Sequence, residues 1–301
     1  MNNILKYFYN IDTPSIKFKD NYYYFIHDSY LYKLYITHYI INENEMYLLN
    51  KNMLKHTLVS EIILNKDGRI ITEDNNNRYI LLKIYVASDK LITLDDIEYL
   101  ANLGYVVNAN IDWSILWSKK IDYLENLIDE NGKKYPIIAD SFNYFVGMTE
   151  NAIAYYNNTS INSTRYVISH KRIGINSSLE DLYNPLNIIF DYQIRDISEY
   201  VKSCFFENKK EVLKILNRYF SNKNLNLSDI RLFVARLMYP SFYFDLYEDI
   251  LVNGKSEKII LPIVRRLEEY QLYLSKIIAY LKQFYNIEEI AWLNKNNISP
   301  H

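Results

Sequence analysis

The spacing of hydrophobic residues changes once along this chain, near residue 90, and that change restricts the fold more than any other feature. Before it, runs rich in aromatic and β-branched residues indicate antiparallel strands, with one helical run between them. These strand runs lie at 22–36, 59–64, 68–72 and 78–86, and the helical run at 42–56. After it, almost every apolar run repeats at helical spacing. We therefore expect an α+β fold: a small antiparallel sheet with one helix, followed by a large, mainly α-helical part.

Short polar sequences separate the predicted strands. His27-Asp28-Ser29 interrupts the run at 22–36 and predicts a hairpin. Asn65-Lys66-Asp67-Gly68 lies between the runs at 59–64 and 68–72, and an Asp-Gly pair in such a place predicts a second hairpin.

Capping residues and periodicity define the helical part. Thr93 with Asp96 has the pattern of a capping box, and Asp112 is placed to cap a longer helix. Ser228 is the predicted cap of another helix. Further helices are predicted at 142–156, 194–206, 209–220, 228–238, 241–252, 256–284 and 286–294. The polar step at 87–90 divides the chain into a β-rich domain, 1–88, and a helical domain, 89–301.

Two short apolar runs, 165–169 and 186–190, interrupt the helical part near its middle. In protein kinases and small-molecule phosphotransferases, two strands at this place carry the catalytic base and a metal-binding aspartate. Phosphoryl transfer depends mainly on positioning and charge neutralisation. The order of elements thus predicts a protein-kinase-like fold with two lobes, and each part of a phosphotransferase site can be sought in turn.

The sequence gives little support for a phosphate-covering loop or for a phosphate-binding lysine. Gly68 is the only glycine in the first 100 residues, and it lies in a later turn. Lys33, on the second predicted strand, is the candidate phosphate lysine. Glu43 or Glu45 on the following helix is its candidate partner, and Lys83 is a weaker alternative to Lys33. A solvated surface lysine is the competing interpretation of Lys33.

The sequence of the predicted catalytic loop differs from that of an active phosphotransferase. The strand at 165–169 leads into His170, and an active phosphotransferase of this type has its base aspartate two residues later. Arg172 stands there, and a guanidinium cannot accept a proton. Ser177 stands where an asparagine would bind magnesium, with Asn176 beside it as a substitute. His170 alone is more typical of a structural residue than of a catalytic one.

Asp191 follows the second short strand, 21 residues after His170 (191 − 170), which is the interval that the fold requires. An aspartate at such a strand end can hold Mg²⁺. We therefore predict Asp191 as the metal ligand and Asp196 as an acidic residue that stabilises a helix start.

Several segments resemble one bacterial family. These are 113–125 (WSILWSKKIDYLE), 142–159 (FNYFVGMTENAIAYYNNT), 169–173 (SHKRI) and 184–202 (NPLNIIFDYQIRDISEYVK), with the hairpin sequence at 65–72. Together they are similar to the spore-coat kinase-like family of the aminoglycoside-phosphotransferase superfamily. The resemblance implies association with the spore coat or a role in sporulation. It also implies that members without kinase activity are common, which agrees with Arg172 at the base position.

Composition excludes other classes of function. The 34 basic and 36 acidic residues give a formal net charge of −2, so a nucleic-acid partner is not expected. Cys204 is the only cysteine and cannot form an internal disulfide. No signal peptide or transmembrane segment is predicted, which favours the cytoplasm, and the resemblance implies the spore coat as a further location.

Two hypotheses follow. The first is a catalytically inactive protein that binds other spore-coat proteins and needs no cofactor. The alternative is an active phosphotransferase that uses Mg-ATP and an alcohol group as acceptor.

Overall fold

One six-stranded antiparallel sheet lies near the N-terminus, in the order β1-β2-β3-β6-β4, with β5 also paired to β6. The computed structural model describes residues 1–13, 15–19, 21–37, 42–103, 111–159, 165–209, 211–221 and 225–294. Its sheet strands are β1 (Lys17–Lys19), β2 (Tyr22–His27), β3 (Tyr30–Thr37), β4 (Glu61–Ile63), β5 (Ile71–Asp74) and β6 (Asn77–Ile84). The predicted hairpin at 22–36 is confirmed, because β2 and β3 pair antiparallel on either side of Asp28 and Ser29.

The two faces of the sheet carry separate hydrophobic clusters. Because side chains alternate along a strand, Leu34 lies on one face, in a cluster with the helix α1 (Asn2–Tyr9). Lys33 lies on the other face, where Ile80 and Leu82 of β6 belong to a second cluster. Met46 of the helix α2 (Glu43–Met53) packs against that second cluster. The sheet is therefore covered on both faces, and Lys33 lies on the α2 face.

The predicted hairpin between β4 and β5 is wrong. Both strands pair with β6, one after the other: Ile63 lies opposite Leu81, and Ile71 lies opposite Ile80. The turn itself is present, with Gly68 at φ 73°, a value that favours glycine. Here the turn joins two consecutive strands on the same side of β6.

Helices dominate the rest of the chain. They are α3 (Leu94–Ala101), α4 (Trp113–Asn131), α5 (Pro136–Asn158), α6 (Leu179–Leu182), α7 (Arg195–Phe206), α8 (Val212–Ser221), α9 (Leu227–Met238), α10 (Ser241–Leu251), α11 (Leu261–Val264), α12 (Leu267–Leu281) and α13 (Ala291–Asn294), with 3₁₀ turns at Gly132–Lys134 and Glu257–Ile260. Two further strands, β7 (Tyr166–His170) and β8 (Ile188–Tyr192), form a small sheet of their own.

Three details of the predicted helices are wrong. The segment 286–294 is helical only in α13 (Ala291–Asn294). The segment 256–284 is not one helix: it is a 3₁₀ turn, then α11 and α12. Pro262 lies at the start of α11, where its missing N–H group ends continuous helical hydrogen bonding. The cap of α9 is Asn226, which forms a capping box with Asp229, and Ser228 lies inside the helix.

The chain divides into two compact units, and the first is built from two separate stretches. It comprises Met1–Tyr99 and Asn176–Ile189, and the second comprises Leu100–Ile175 and Phe190–His301. The division into 1–88 and 89–301 stays a prediction about the lobes. Among the described residues, no helix is both long and apolar enough to cross a membrane.

Candidate functional site

Lys33 is a nearly buried cation on β3, with 10% of its side chain exposed. Its ammonium forms an ion pair with Glu180 of α6 and donates to the Tyr22 hydroxyl at 3.4 Å. Burial alone would lower the pKa of Lys33, but Glu180 and Tyr22 together raise it above its ordinary value. Lys33 is thus a charged lysine whose partner comes from far along the sequence.

The glutamates of α2 do not supply that partner. Glu45 is exposed in the first turn of the helix. Glu43 accepts a hydrogen bond from Arg69 at 2.8 Å and two from the backbone N–H groups of Ile70 and Ile71, at 2.7 and 3.1 Å. Burial by itself would raise the pKa of Glu43, but these donors lower it. Glu43 therefore binds the turn before β5.

Asn176, the candidate magnesium ligand, lies exposed in a turn of the first unit. His170, Arg172 and Asp191 belong to the second unit, where β7 and β8 bring them into one network.

His170 ends β7 and is fully buried. Its backbone N–H donates to one carboxylate oxygen of Asp196 at 2.9 Å, and its Nδ1 lies 2.6 Å from the other. Asp196 is in the first turn of α7. The pair therefore fixes the end of β7 to the start of α7.

Arg172 occupies the position of the expected base and forms a two-pronged ion pair with Asp245 of α10. Its third nitrogen donates to the Lys171 carbonyl at 2.7 Å. Burial raises the pKa of Asp245, and Arg172 offsets part of that rise. The Arg172 side chain is 56% exposed, so this ion pair is accessible to water.

Asp191 is fully buried within β8, and both of its carboxylate oxygens are hydrogen-bonded. Oδ1 accepts from the Trp113 indole at 3.0 Å and from the Tyr192 backbone at 2.7 Å. Oδ2 accepts from Arg195 at 2.6 Å and lies 3.7 Å from Arg236. A carboxylate has about four lone-pair positions, and four donors surround this one.

Arg195 connects Asp191 to the loop after β7. Besides its bond to Asp191, its Nε donates to the His170 carbonyl at 2.8 Å and its Nη2 to the Lys171 carbonyl at 3.0 Å. Three of its nitrogens are therefore bonded to Asp191 of β8, to His170 at the end of β7 and to Lys171 just after that strand. Its side chain is 6% exposed.

A second buried charge cluster continues from this network. Glu199 pairs with Lys202 at 2.9 Å and with Arg236 at 3.5 Å, and it accepts a hydrogen bond from Ser241 at 2.8 Å. Burial alone would raise the pKa of Glu199, but Lys202, Arg236 and Arg195 outweigh it and lower that pKa to about 2. Burial lowers the pKa of Lys202 to about 8, although Glu199 opposes the change.

The sequence analysis missed Glu180, Arg195, Glu199 and Arg236. Spacing could have indicated Glu199, because it lies four residues after Arg195 on α7, as do neighbours on a helix face. Arg195 is also four residues from Asp191, but Asp191 belongs to strand β8, so helical spacing does not predict that pair. Glu180 and Arg236 reach their partners only through the fold.

As arranged, these residues do not fit a bound Mg²⁺. A magnesium ion needs carboxylate oxygens that can enter its coordination shell. Those of Asp191 already accept hydrogen bonds from Arg195, an indole and a backbone amide, and Arg236 lies 3.7 Å away. Within the described part of the chain, no group of three His, Cys, Asp or Glu side chains could hold a metal ion.

Comparison with known proteins identifies relatives over most of the chain. The profile of the family described as "Spore coat putative kinase YutH" matches residues 2–284. The endospore coat-associated protein YutH of Bacillus subtilis (strain 168) is 25% identical over 289 residues, which cover 84% of this chain and 85% of that protein.

Solved phosphotransferase structures share the fold. An aminoglycoside phosphotransferase from Alicyclobacillus acidocaldarius gives a TM-score of 0.60 at 10% identity, covering 90% of this chain and 93% of that one. The amicoumacin kinase hAmiN, solved with AMP-PNP, Ca²⁺ and its antibiotic, gives 0.52 at 14% identity, covering 84% and 86%. The predicted kinase-like fold, an antiparallel sheet lobe followed by a helical lobe, is confirmed.

Proposed function

Since the chain belongs to the YutH family of spore-coat kinase-like proteins, we propose that it acts in the spore coat as a binding or structural protein that does not transfer phosphate. The family and the fold are the starting point of this proposal. The part of the proposal that concerns catalysis rests on the residues at the positions where a phosphotransferase has its metal ligand and its catalytic base.

The burial of Asp191 is the observation that carries the proposal. For Mg²⁺ to bind there, Arg195 must give up its bond to the carboxylate while it stays inside the protein. Separating a buried ion pair costs roughly 3–5 kcal/mol. That cost lowers the apparent metal affinity by roughly two to three and a half orders of magnitude.

Arg172 supports the same conclusion independently. A base must accept a proton from the attacking hydroxyl, and a guanidinium is only a donor. Its pairing with Asp245 also occupies the carboxylate nearest to that position on α10.

The role in the coat rests on the relatives. The Bacillus subtilis relative is named an endospore coat-associated protein, and the proposal carries that association to this chain. Its partners are then other coat proteins, and it is made in the cytoplasm before it joins the coat. No cofactor is part of this proposal.

Calorimetric titration with Mg-ATP tests the catalytic part. We expect no saturable heat at millimolar nucleotide, either for the wild type or for Asp191→Asn, while an aminoglycoside phosphotransferase in the same buffer gives a binding curve. Saturable heat that Asp191→Asn abolishes would contradict the proposal, and the chain would then be a candidate phosphotransferase.

Localisation tests the coat part. A fluorescent fusion expressed from its own promoter in a sporulating host should collect around the forespore and be recovered in the coat extract. The variant Asp245→Asn, which removes the ion-pair partner of Arg172, should localise in the same way. A fusion that stays diffuse throughout sporulation would contradict this part.

A further inference from the structure

Residues 176–189, which we call the strap, leave the helical unit and pack on the sheet unit. Their backbone is hydrogen-bonded there at its start and near its middle. The Ile92 N–H donates to the Ser177 carbonyl at 3.0 Å, and the Leu179 N–H donates to the Lys90 carbonyl at 2.9 Å. Further along, the Ser60 N–H donates to the Tyr183 carbonyl at 2.9 Å. The strap is therefore an ordered part of the sheet unit.

The strap lies on the face of the sheet that carries Lys33. Leu186 packs against the cluster that contains Leu82, the residue opposite Lys33 in the β3–β6 pairing. Asn184 lies within hydrogen-bond distance, 3.4 Å, of the Tyr35 hydroxyl, and Tyr35 is two residues from Lys33 and so on its side of the strand.

Glu180 provides the carboxylate of the strap that pairs with Lys33. The two side chains are 10% and 18% exposed, so the pair is largely shielded from water. The electrostatic attraction between two opposite charges is much larger in such surroundings than at the surface. Tyr22 covers the ammonium from the other side, with its ring centroid 4.5 Å away.

A carboxylate that accepts from a lysine ammonium has the charge sign and the acceptor oxygens of a phosphate group. We propose that Glu180 is a built-in anion that takes the place of a ligand phosphate on Lys33, so that the strap closes this face of the sheet against phosphate-bearing ligands. The inference deepens the proposed function and rests on it, since it explains how a kinase-like fold excludes nucleotides independently of Asp191.

Glu180→Gln tests the proposal, because glutamine keeps the size of the side chain and removes its charge. The probe is inorganic tripolyphosphate without metal, and calorimetry measures its binding. We expect no saturable heat for the wild type. Glu180→Gln should bind at least about tenfold more tightly, a gain of about 1.4 kcal/mol. The double variant Glu180→Gln/Lys33→Met should lose that binding.

Asp181→Asn is the matched control, since Asp181 is the neighbouring carboxylate of the strap and bonds to Ser178. It should behave as the wild type does. Equal affinity of Glu180→Gln and wild type would overturn the proposal, and so would binding that survives Lys33→Met. Because the probe contains no metal, these outcomes are separate from Mg-ATP binding at Asp191, which would overturn the proposed function.

A measurement on the unmodified protein covers the case in which Glu180→Gln does not fold. Lysine acetylation under native conditions, read by peptide mass spectrometry, compares Lys33 with Lys83 of β6, which is half-buried over the Tyr30 ring. We expect Lys33 to react about tenfold more slowly than Lys83, because the strap must first open locally and release the Lys33 ammonium from Glu180. Equal reaction rates would overturn the proposal.

Discussion

Arg195 bonds to three oxygen atoms that come from two separate places in the chain, as a bound cation could. Its guanidinium bonds to a carboxylate and to two carbonyl groups, the same kinds of oxygen that bind hard cations. A guanidinium supplies charge and orientation, but it cannot exchange ligands with a substrate as a metal does. The network of Arg195 with Asp191, His170 and Lys171 is therefore suited to stabilising the folded protein.

Asp191→Asn should destabilise the protein strongly. It leaves Arg195 buried without its ion-pair partner and leaves Arg236 with Glu199 alone. Breaking a buried ion pair by removing one partner costs roughly 3–5 kcal/mol. Urea unfolding measures the change. Asp245→Asn is the control: it breaks an ion pair whose arginine is 56% exposed, and it should cost less than about 1 kcal/mol. Equal losses in the two variants would contradict a buried structural role for Asp191.

Glu199 should make the protein sensitive to acid. Its pKa falls from 4.5 to about 2 on folding, so its contribution is complete above pH 4.5 and is lost as the pH falls towards 2. The contribution is about 3 kcal/mol. The difference in unfolding free energy between wild type and Glu199→Gln should therefore shrink over that range. Glu207→Gln, an exposed change at the end of α7, controls for the lost charge, and a constant difference would contradict the assignment.

Sequence reasoning could locate the candidate site but could not describe its state. The spacing of His170 and Asp191 and the identity of Arg172 are local facts, and they placed the two strands correctly. Whether Asp191 faces a metal or arginines depends on how the fold orients Arg195 and on the approach of Arg236, which lies 45 residues further along the chain (236 − 191). No local pattern reports such a contact.

At the level of elements, the attachment of α2 to the turn before β5 depends on one carboxylate. Glu43 accepts hydrogen bonds from Arg69, Ile70 and Ile71, and this cluster replaces the lysine partner that the sequence predicted for α2.

Glu43→Gln should loosen that attachment. A glutamine has one acceptor oxygen in place of two, and its NH₂ group would face backbone donors, so we expect a loss of about 1–3 kcal/mol and faster hydrogen exchange at the Ile70 and Ile71 amides. Glu45→Gln is the matched control on the same helix. Because Glu45 is exposed, it should change stability by less than about 0.5 kcal/mol. Unchanged exchange in Glu43→Gln would refute the role of this carboxylate.

The elements themselves were largely predictable, because helical and strand periods are local. The hairpin at 22–36, the capping box of Thr93 with Asp96, and the Asp112 cap are all present. The pairing of β4 and β5 was not predictable from their turn, since a turn fixes neighbours in sequence but a third strand, β6, supplied the hydrogen bonds.

For the whole molecule, the sheet unit is incomplete without the strap. The first 99 residues contain the strands, but Glu180 and Leu186 arrive from 176–189. The order of elements and the family resemblance both identified the fold as a whole, while periodicity gave no sign that this segment returns to the sheet.

A fragment of residues 1–99 should therefore be less stable than the same fragment with 176–189 joined to its end by a Gly/Ser linker. The strap supplies the carboxylate for Lys33 and apolar cover for the cluster around Leu82. Thermal unfolding by circular dichroism, together with binding of a hydrophobic dye, compares the two. Equal melting temperatures would show that the strap contributes nothing to the sheet unit.

The division of the sheet unit between two stretches also sets an order of events during synthesis. Residue 189 follows residue 99 by 90 positions (189 − 99), and a ribosome that adds about 5–20 residues per second takes roughly 5–20 s to make them. Throughout that interval the cluster around Leu82 lacks the cover that Leu186 provides, and Lys33 lacks its partner Glu180. A pause in translation before residue 176 would lengthen the time for which the sheet unit is incomplete.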